Sequence, residues 1–222
     1  MNHAWWGPSS ETGRRWLNLV AAAVLLILTV PVCVIVAALI KLTSRGPVLY
    51  TQTRVGLDRR LGSGNRSTIP ARRSDLGGRP FTIWKFRTMG VGAELDTGAV
   101  WAAKDDPRVT GVGRWLRRYR VDELPQLWNV LAGDMNLVGP RPERPDIVAR
   151  LRQEIPRYQQ RHRVLPGITG HAQVSLPYDT SIEDVHLKVR HDLAYIGTAS
   201  AWQDARIMGK TIPVMLFQRG AR

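Results

Sequence analysis

Asp122 and Glu123 are adjacent carboxylates in an arginine-rich part of the chain. Pro125 suits the first turn of a helix, so both are expected near a helix N-terminus, whose free N–H groups and partial positive charge attract phosphate. Acidic groups among cations have lowered pKa values and stay ionised. An ionised Asp can attack phosphorus, and a neighbouring Glu can hold Mg²⁺ through oxygen. On spacing alone, however, two carboxylates that merely complement the helix dipole are the preferred explanation.

Basic side chains in two further segments could bind the phosphates of a substrate. Lys85 and Arg87 alternate along Trp84–Met89, which places them on one side of a strand, either as a paired clamp for a diphosphate or as a solvated face. Arg141 stands in the proline-rich turn Gly139–Pro142, which is rigid and suits a fixed phosphate contact. Neither segment decides the chemistry by itself.

Other common catalytic motifs are missing from the sequence. It has no Walker lysine motif, no dinucleotide glycine fingerprint and no serine nucleophile elbow. The single cysteine, Cys33, lies in an apolar run and cannot form a disulfide within the chain. The histidines that follow the carboxylate pair show no zinc-like spacing: His162, His171, His186 and His191.

The elements that must position these residues begin with an apolar segment. Residues 16–40 contain no Asp, Glu, Lys or Arg and are long enough to cross about 30 Å of hydrocarbon as a helix. Pro31 in its middle predicts a kink. Basic residues flank both ends (Arg14 and Arg15, Lys41 and Arg45), which suits a re-entrant helix that enters and leaves by one leaflet. A bitopic helix fits the same residues equally well.

We divide the chain into a polar N-terminal segment (1–15), a re-entrant membrane helix (16–41) and a catalytic domain (42–222). Residues 58–79 hold six arginines and almost no aliphatic residues, and they are expected to form a flexible basic insert.

The predicted fold class is α+β, with a small sheet beside amphipathic helices that lie at the membrane interface. Apolar residues at helical spacing define these helices, and Gly133 is the expected stop of the second one. A further helical region is expected to divide near Gly197 and Pro213. The predicted strands are 48–52 and 81–86. The predicted helices are 112–119, 124–131, 143–162 with a break near Pro156, and 181–217.

The charge of the chain calls for an anionic partner. It carries 32 Lys and Arg against 18 Asp and Glu, a formal net charge of +14. Nucleic acid, anionic lipid and phosphorylated substrates all fit this excess. A membrane-tethered binding protein and a non-enzymatic scaffold therefore remain alternatives to an enzyme.

Taken together and in order, the motifs resemble the bacterial sugar transferase family, the monotopic polyprenyl-phosphate phosphoglycosyl transferases. The resemblance covers about residues 14–215 and suggests the minimal catalytic form. The segments that carry it are the proline-containing apolar helix, Gly46–Gly56, Lys85–Met89, Asp122–Leu131, Gly133–Met135, Val138–Pro142 and Pro166–Gly170.

This resemblance implies a reaction in two halves. Asp122 would attack the β-phosphate of a nucleoside-diphosphate sugar, release nucleoside monophosphate and carry the phosphosugar covalently. Glu123 would bind Mg²⁺. Polyprenyl (undecaprenyl) phosphate would then accept the phosphosugar, in the first membrane step of exopolysaccharide or glycoconjugate assembly. The implied substrate-binding residues are Lys85, Arg87, Arg117, Arg141, Pro142 and Gln173.

The resemblance also implies a setting. The protein would lie in the inner membrane among lipids, with its catalytic domain on the cytosolic face, without nucleic acid and compatible with a homodimer. The sequence departs from the family pattern at several positions: Val30 replaces the usual Ser before Pro31, His171 stands where many members have Trp, and Ser175 begins the segment that is often Asn-Gly-Arg. The sugar, the nucleotide and the glycan are not evident from the residues.

Overall fold

The computed structural model describes residues 8–61, 75–93, 106–177 and 181–216. Its longest element is helix α1, Pro8–Thr43, which includes Pro31. The helix begins at Pro8 and not at residue 16, because Pro8 and the polar residues after it form a helix start ahead of the apolar run. Residues 1–7 of the predicted polar segment lie outside the described residues.

The surface of α1 is apolar and largely uncovered. Ile27, Leu28 and Val34 are 71%, 69% and 63% exposed, whereas a helix in the core of a soluble protein would be mostly covered. The part from Thr12 to Thr43 is long and apolar enough to cross a membrane. α1 is therefore suited to anchoring the chain in lipid.

The N-terminal half of α1 is joined to the rest of the chain by buried polar contacts. Arg14 forms an ion pair with Asp204 at 3.1 Å and donates to Tyr195 Oη at 2.8 Å. The Leu137 N–H donates to Asn18 Oδ1 at 2.8 Å. These contacts tie α1 to three elements that follow it far along the sequence.

The C-terminal half of α1 packs on the same domain through apolar side chains. Val36 and Ile40 are buried in a cluster with Phe86 and Leu116. The two halves of α1 are thus both attached to one folded unit.

Two small sheets contribute to that unit. Strands β1 (Leu49–Val55) and β2 (Pro80–Phe86) pair antiparallel, with Tyr50 opposite Lys85, which confirms the two predicted strands and extends the first. Strands β3 (Asn136–Val138) and β4 (Gly167–Thr169) pair in parallel. Neither β3 nor β4 was among the strands predicted from the sequence. Three-residue strands carry too little periodicity to be detected in a sequence.

Helices make up most of the remaining structure, so the α+β prediction is confirmed. Helix α3 (Gln126–Ala132) ends at Gly133, which has a φ of 90° and therefore a conformation that favours glycine. The last helical region divides at residues 199–200, close to the break predicted near Gly197, whereas Pro213 lies inside a helix without ending it. The helices after α1 are α2 (Gly111–Arg118), α3 (Gln126–Ala132), α4 (Pro145–Glu154), α5 (His171–Ser175), α6 (Ile182–Thr198) and α7 (Ala201–Leu216), with 3₁₀ turns at Val121–Glu123 and Tyr158–Arg163.

The predicted apolar faces of α2 and α3 are only partly buried. Leu116 and Leu127 point into the core, but Trp115 and Trp128 are 50% and 60% exposed. Trp202 on α7 is 79% exposed. Exposed tryptophan is typical of surfaces at a membrane interface, where one side of the ring is apolar and the other is wet.

The two ends of the predicted basic insert are fixed to the domain. Arg60 pairs with Asp58 at 2.8 Å and with Asp75 at 2.7 Å. Arg152 of α4 also pairs with Asp75, at 3.0 Å. The flexibility of the 58–79 segment stays a prediction, and its residues 62–74 lie outside the described residues.

Candidate active site

Asp122 and Glu123 lie in the 3₁₀ turn that leads into α3, and both are buried. The turn begins after Arg120, whose φ of 53° is unusual for a residue other than glycine. The N–H groups of Leu127 and Trp128, at the start of α3, donate to carbonyls of the preceding turn. These two N–H groups are therefore already paired, and attraction of a phosphate by the helix N-terminus stays a prediction.

Three cations surround the Glu123 carboxylate. Arg141 donates to Oε1 at 2.5 Å, and Lys85 Nζ lies 3.3 Å from the same oxygen. Arg120 lies 3.9 Å from Oε2. Antiparallel pairing with β1 holds Lys85 in place, and the turn after β3 presents Arg141. The structure thus joins a strand, a rigid turn and the carboxylate pair, which are far apart in sequence.

The two carboxyl groups differ in their electrostatics. Burial alone would raise the pKa of the Glu123 carboxyl, but Arg141, Lys85 and Arg120 together outweigh burial and hold that pKa well below its usual range. Burial raises the pKa of Asp122 to about 6, although the charge of Lys85 opposes the rise. The expectation that both carboxyls have lowered pKa values is therefore wrong for Asp122. The penalty for burying its charged form exceeds the stabilisation that the neighbouring cations provide.

Arg117 and Arg87 contact different parts of the structure. Arg117 Nε donates to Thr88 Oγ1 at 2.9 Å, and its charge lowers the pKa of Asp122, so it belongs to the site. The Arg87 guanidinium donates to the Ser44 carbonyl at 3.1 Å and to Ser44 Oγ at 2.9 Å. It also donates to the Arg45 carbonyl. Arg87 therefore joins β2 to the end of α1, and a substrate contact for it stays a prediction.

Pro142 and Gln173 contact the backbone framework around the site. The Pro142 carbonyl accepts a hydrogen bond from Arg54 at 3.1 Å. Gln173 Nε2 donates to the Ile168 carbonyl at 3.2 Å, at the corner between β4 and α5. These contacts support the site's framework, and direct substrate binding by either residue stays a prediction.

Arg54 was not among the site residues predicted from the sequence. It is half-buried on β1, bonds to Gln52 Oε1 at 2.6 Å and forms an ion pair with Glu143 at 3.6 Å. Lys188 pairs with the same Glu143 at 3.1 Å. Alternation along β1, which puts Gln52 and Arg54 on one face, was the signal available in the sequence.

The donor atoms at the site fit Mg²⁺ only in part. Glu123 Oε1 is already engaged by two cations. Within the described ranges no group of three or more His, Cys, Asp or Glu could hold a metal. Mg²⁺ commonly takes one or two carboxylates together with substrate phosphates. The pair therefore fits an ion that is shared with a diphosphate, and not one held by the protein alone.

The chain is similar to several known proteins over most of its length. The bacterial sugar transferase family model matches residues 9–218. The chain is 42% identical over 209 residues to a UDP-N-acetylgalactosamine-undecaprenyl-phosphate N-acetylgalactosaminephosphotransferase of Aeromonas hydrophila, covering 94% of this chain and 45% of that protein. It is 40% identical over 201 residues to the UDP-glucose:undecaprenyl-phosphate glucose-1-phosphate transferase of Escherichia coli (strain K12), covering 90% and 39%.

A protein of the same name from Caulobacter vibrioides is 42% identical over 205 residues, which cover 91% of this chain and 69% of that protein. The chain thus spans less than half the length of the Aeromonas and Escherichia relatives.

Proposed function

Because the chain belongs to the bacterial sugar transferase family, we propose that it transfers a phosphosugar from a nucleoside-diphosphate sugar to polyprenyl phosphate. The names of the relatives indicate a UDP-sugar as donor and undecaprenyl phosphate as acceptor. The observation that carries the proposal is the buried Asp122–Glu123 pair with Lys85 and Arg141 at hydrogen-bond distance from Glu123. A carboxylate beside fixed cations is suited to attack on a phosphate whose negative charge those cations stabilise.

The first half-reaction starts with ionised Asp122. One carboxylate oxygen forms a bond to the β-phosphorus of the donor. The bond from that phosphorus to the bridging oxygen breaks, and its electron pair leaves with the nucleoside monophosphate. The product is an acyl phosphate on Asp122 that carries the sugar. Such a mixed anhydride retains much of the energy of the diphosphate, so the step is not steeply uphill.

The second half-reaction regenerates the enzyme. A phosphate oxygen of polyprenyl phosphate attacks the same phosphorus, and the bond to Asp122 breaks with its electrons returning to the carboxylate. The products are polyprenyl-diphosphate-sugar and free Asp122.

The surrounding residues neutralise charge in both half-reactions. Lys85 and Arg141 hold Glu123 in place and are near enough to neutralise a diphosphate bound beside it. Arg117 favours the ionised form of Asp122. Glu123 would hold Mg²⁺, which would supply further charge neutralisation at the phosphates.

The membrane arrangement that we propose follows from α1. Both of its halves pack on one domain: Arg14 with Asp204 at one end and Ile40 with Leu116 at the other. A bitopic helix would carry its two ends to opposite sides of the bilayer, so these contacts support a re-entrant helix. We propose further that the catalytic domain lies on the cytosolic face of the inner membrane. The site then lies near the headgroups, where the phosphate of the acceptor is found. A homodimer stays a prediction.

The experiment that tests the function is a screen of nucleotide sugars for release of nucleoside monophosphate, with and without polyprenyl phosphate and Mg²⁺. Denaturing mass spectrometry after mixing with donor alone should show a phosphosugar mass on the peptide that contains Asp122. An active enzyme that never shows the adduct would favour direct attack by the acceptor. Lipid binding without any release of monophosphate would favour a membrane-tethered binding protein.

A further inference from the structure

The turn that presents Arg141 to Glu123 is held by a series of main-chain hydrogen bonds. At its start, the Gly139 N–H donates to the Thr169 carbonyl at 2.9 Å, and the Pro140 carbonyl accepts from the Gly167 N–H at 3.0 Å. The next three carbonyls also accept hydrogen bonds, and two of the donors are arginine side chains. These bonds are Arg161 to the Arg141 carbonyl (3.1 Å), Arg54 to the Pro142 carbonyl (3.1 Å) and the Val55 N–H to the Glu143 carbonyl (2.9 Å).

Arg161 is the buried member of this set. Its side chain is 2% exposed, as is that of Asp192, with which it makes hydrogen bonds at 3.0 and 2.7 Å. A third partner, Tyr158 Oη, accepts at 2.9 Å. The guanidinium is thereby held in one orientation. Asp192 and Tyr158 orient it, and Nη2 donates a hydrogen bond to the Arg141 carbonyl.

A guanidinium is costly to bury, and a bare ion pair at this position would often be no more stable than apolar side chains. Arg161 also donates to the carbonyl of Arg141, the residue that contacts Glu123, and this bond suggests why a buried arginine stands here. The position of the Arg141 main chain sets where its own guanidinium can reach. A displacement of about 1 Å at a catalytic group can cost on the order of 10²-fold in rate.

We infer that Arg161, oriented by Asp192, is a positioning residue that fixes Arg141 against the phosphate-binding site. The inference rests on the proposed function, and it adds α6 and the 158–163 turn to the machinery of the site. Arg161 itself is not proposed to touch substrate. Its effect on catalysis should pass through Arg141 alone.

A double-mutant cycle tests this. Arg161→Lys keeps a positive charge beside Asp192 but lacks the planar fork that also reaches the carbonyl. It should lower kcat/KM for a UDP-sugar by roughly ten- to a hundredfold. In an Arg141→Ala background the same change should have no further effect, and the dissociation constant of UDP should follow the same non-additive pattern. Equal losses in both backgrounds would overturn the inference.

Arg14→Lys is the matched control, because it makes the same change at another buried arginine that contacts an aspartate and a tyrosine, Asp204 and Tyr195. It should keep kcat/KM within about twofold even if the midpoint of thermal unfolding falls. A loss of kcat/KM as large as that of Arg161→Lys would mean that general stability is responsible, and would also overturn the inference. If Arg161→Lys does not fold, Asp192→Asn takes its place in the cycle. Failure of the unmutated enzyme to release nucleoside monophosphate would instead count against the proposed function.

Discussion

Lys85 and Glu123, which stand 38 positions apart in the chain, meet at 3.3 Å between Nζ and Oε1. β1 and β2 place the lysine, and the 3₁₀ turn before α3 places the glutamate. Asn129 of α3 fixes the two elements to each other, since its side chain accepts from the Trp84 N–H at 3.1 Å and donates to the Thr82 carbonyl at 2.7 Å. The contact is therefore part of a rigid frame, and substitutions in it have separable consequences.

The two carboxylates should fail in different ways when they are replaced. Asp122→Asn has no anionic oxygen to attack phosphorus, so it should form no covalent adduct and lose at least roughly 10³-fold in kcat. Extra Mg²⁺ should not restore it. Glu123→Gln keeps a weaker oxygen ligand, so its defect should be partly relieved by more Mg²⁺ or by Mn²⁺. Steady-state kinetics and intact-protein mass spectrometry check both variants, and an adduct on folded Asp122→Asn would show that the nucleophile is misassigned.

The rate should depend on pH through Asp122. Burial raises the pKa of this carboxyl to about 6 in the free protein, and only its ionised form can attack. kcat/KM should therefore be level above that pH and fall about tenfold per pH unit below it. Lys85 favours the ionised form, so Lys85→Met should move the inflection to higher pH. A pH–rate profile that is flat from pH 5 to 8, in buffers where the enzyme stays folded, would contradict the assignment.

The re-entrant arrangement can be tested with cysteines at the two ends of α1. Gly13 and Thr43 are exposed. Gly13→Cys and Thr43→Cys, each in a Cys33→Ala background, should both be protected from an impermeant maleimide in intact cells and both react after lysis. Labelling of one end from outside would indicate a bitopic helix. Pro31→Ala should move the protein toward that bitopic arrangement if the proline is what turns the helix back.

The buried ion pair at the start of α1 should contribute strongly to stability. Asp204 and Arg14 have side chains that are 1% and 10% exposed. Asp204→Asn leaves a buried charge without its counter-charge and should lower the free energy of unfolding by roughly 3–5 kcal/mol. Glu154→Ala is the control, because its pair with Arg150 is exposed and should contribute less than about 0.5 kcal/mol. Denaturation in detergent, followed by circular dichroism, compares the two.

The basic insert should contribute to membrane affinity and not to chemistry. Deletion should be confined to residues 62–74, because Asp58, Arg60 and Asp75 anchor the two ends of the insert to the domain. It should weaken binding to vesicles of anionic lipid, by at most about 1 kcal/mol for each arginine removed, and salt should diminish the difference. Turnover in detergent should stay largely intact. Complete loss of detergent activity in a folded deletion variant would defeat this prediction.

Local pattern was sufficient for several features of this protein. The uninterrupted apolar run defines α1, and alternating β-formers before Lys85 define β2. The order of motifs around Asp122, Glu123 and Arg141 was enough to identify the family. These features are readable because each depends on residues within a few positions of one another, where helical and strand periodicity act directly.

Other features depended on contacts between distant segments. Alternation placed Lys85 and Arg87 on one side of a strand, but packing directs Lys85 to Glu123 and Arg87 to the end of α1. The sign of the pKa shift at Asp122 follows from its burial, which no sequence spacing shows. Arg161 lies 20 residues beyond the Arg141 carbonyl that it holds. Burial and hydrogen-bond partners of this kind exist only once the whole chain has packed, because desolvation is a property of the surrounding volume and not of the neighbouring letters.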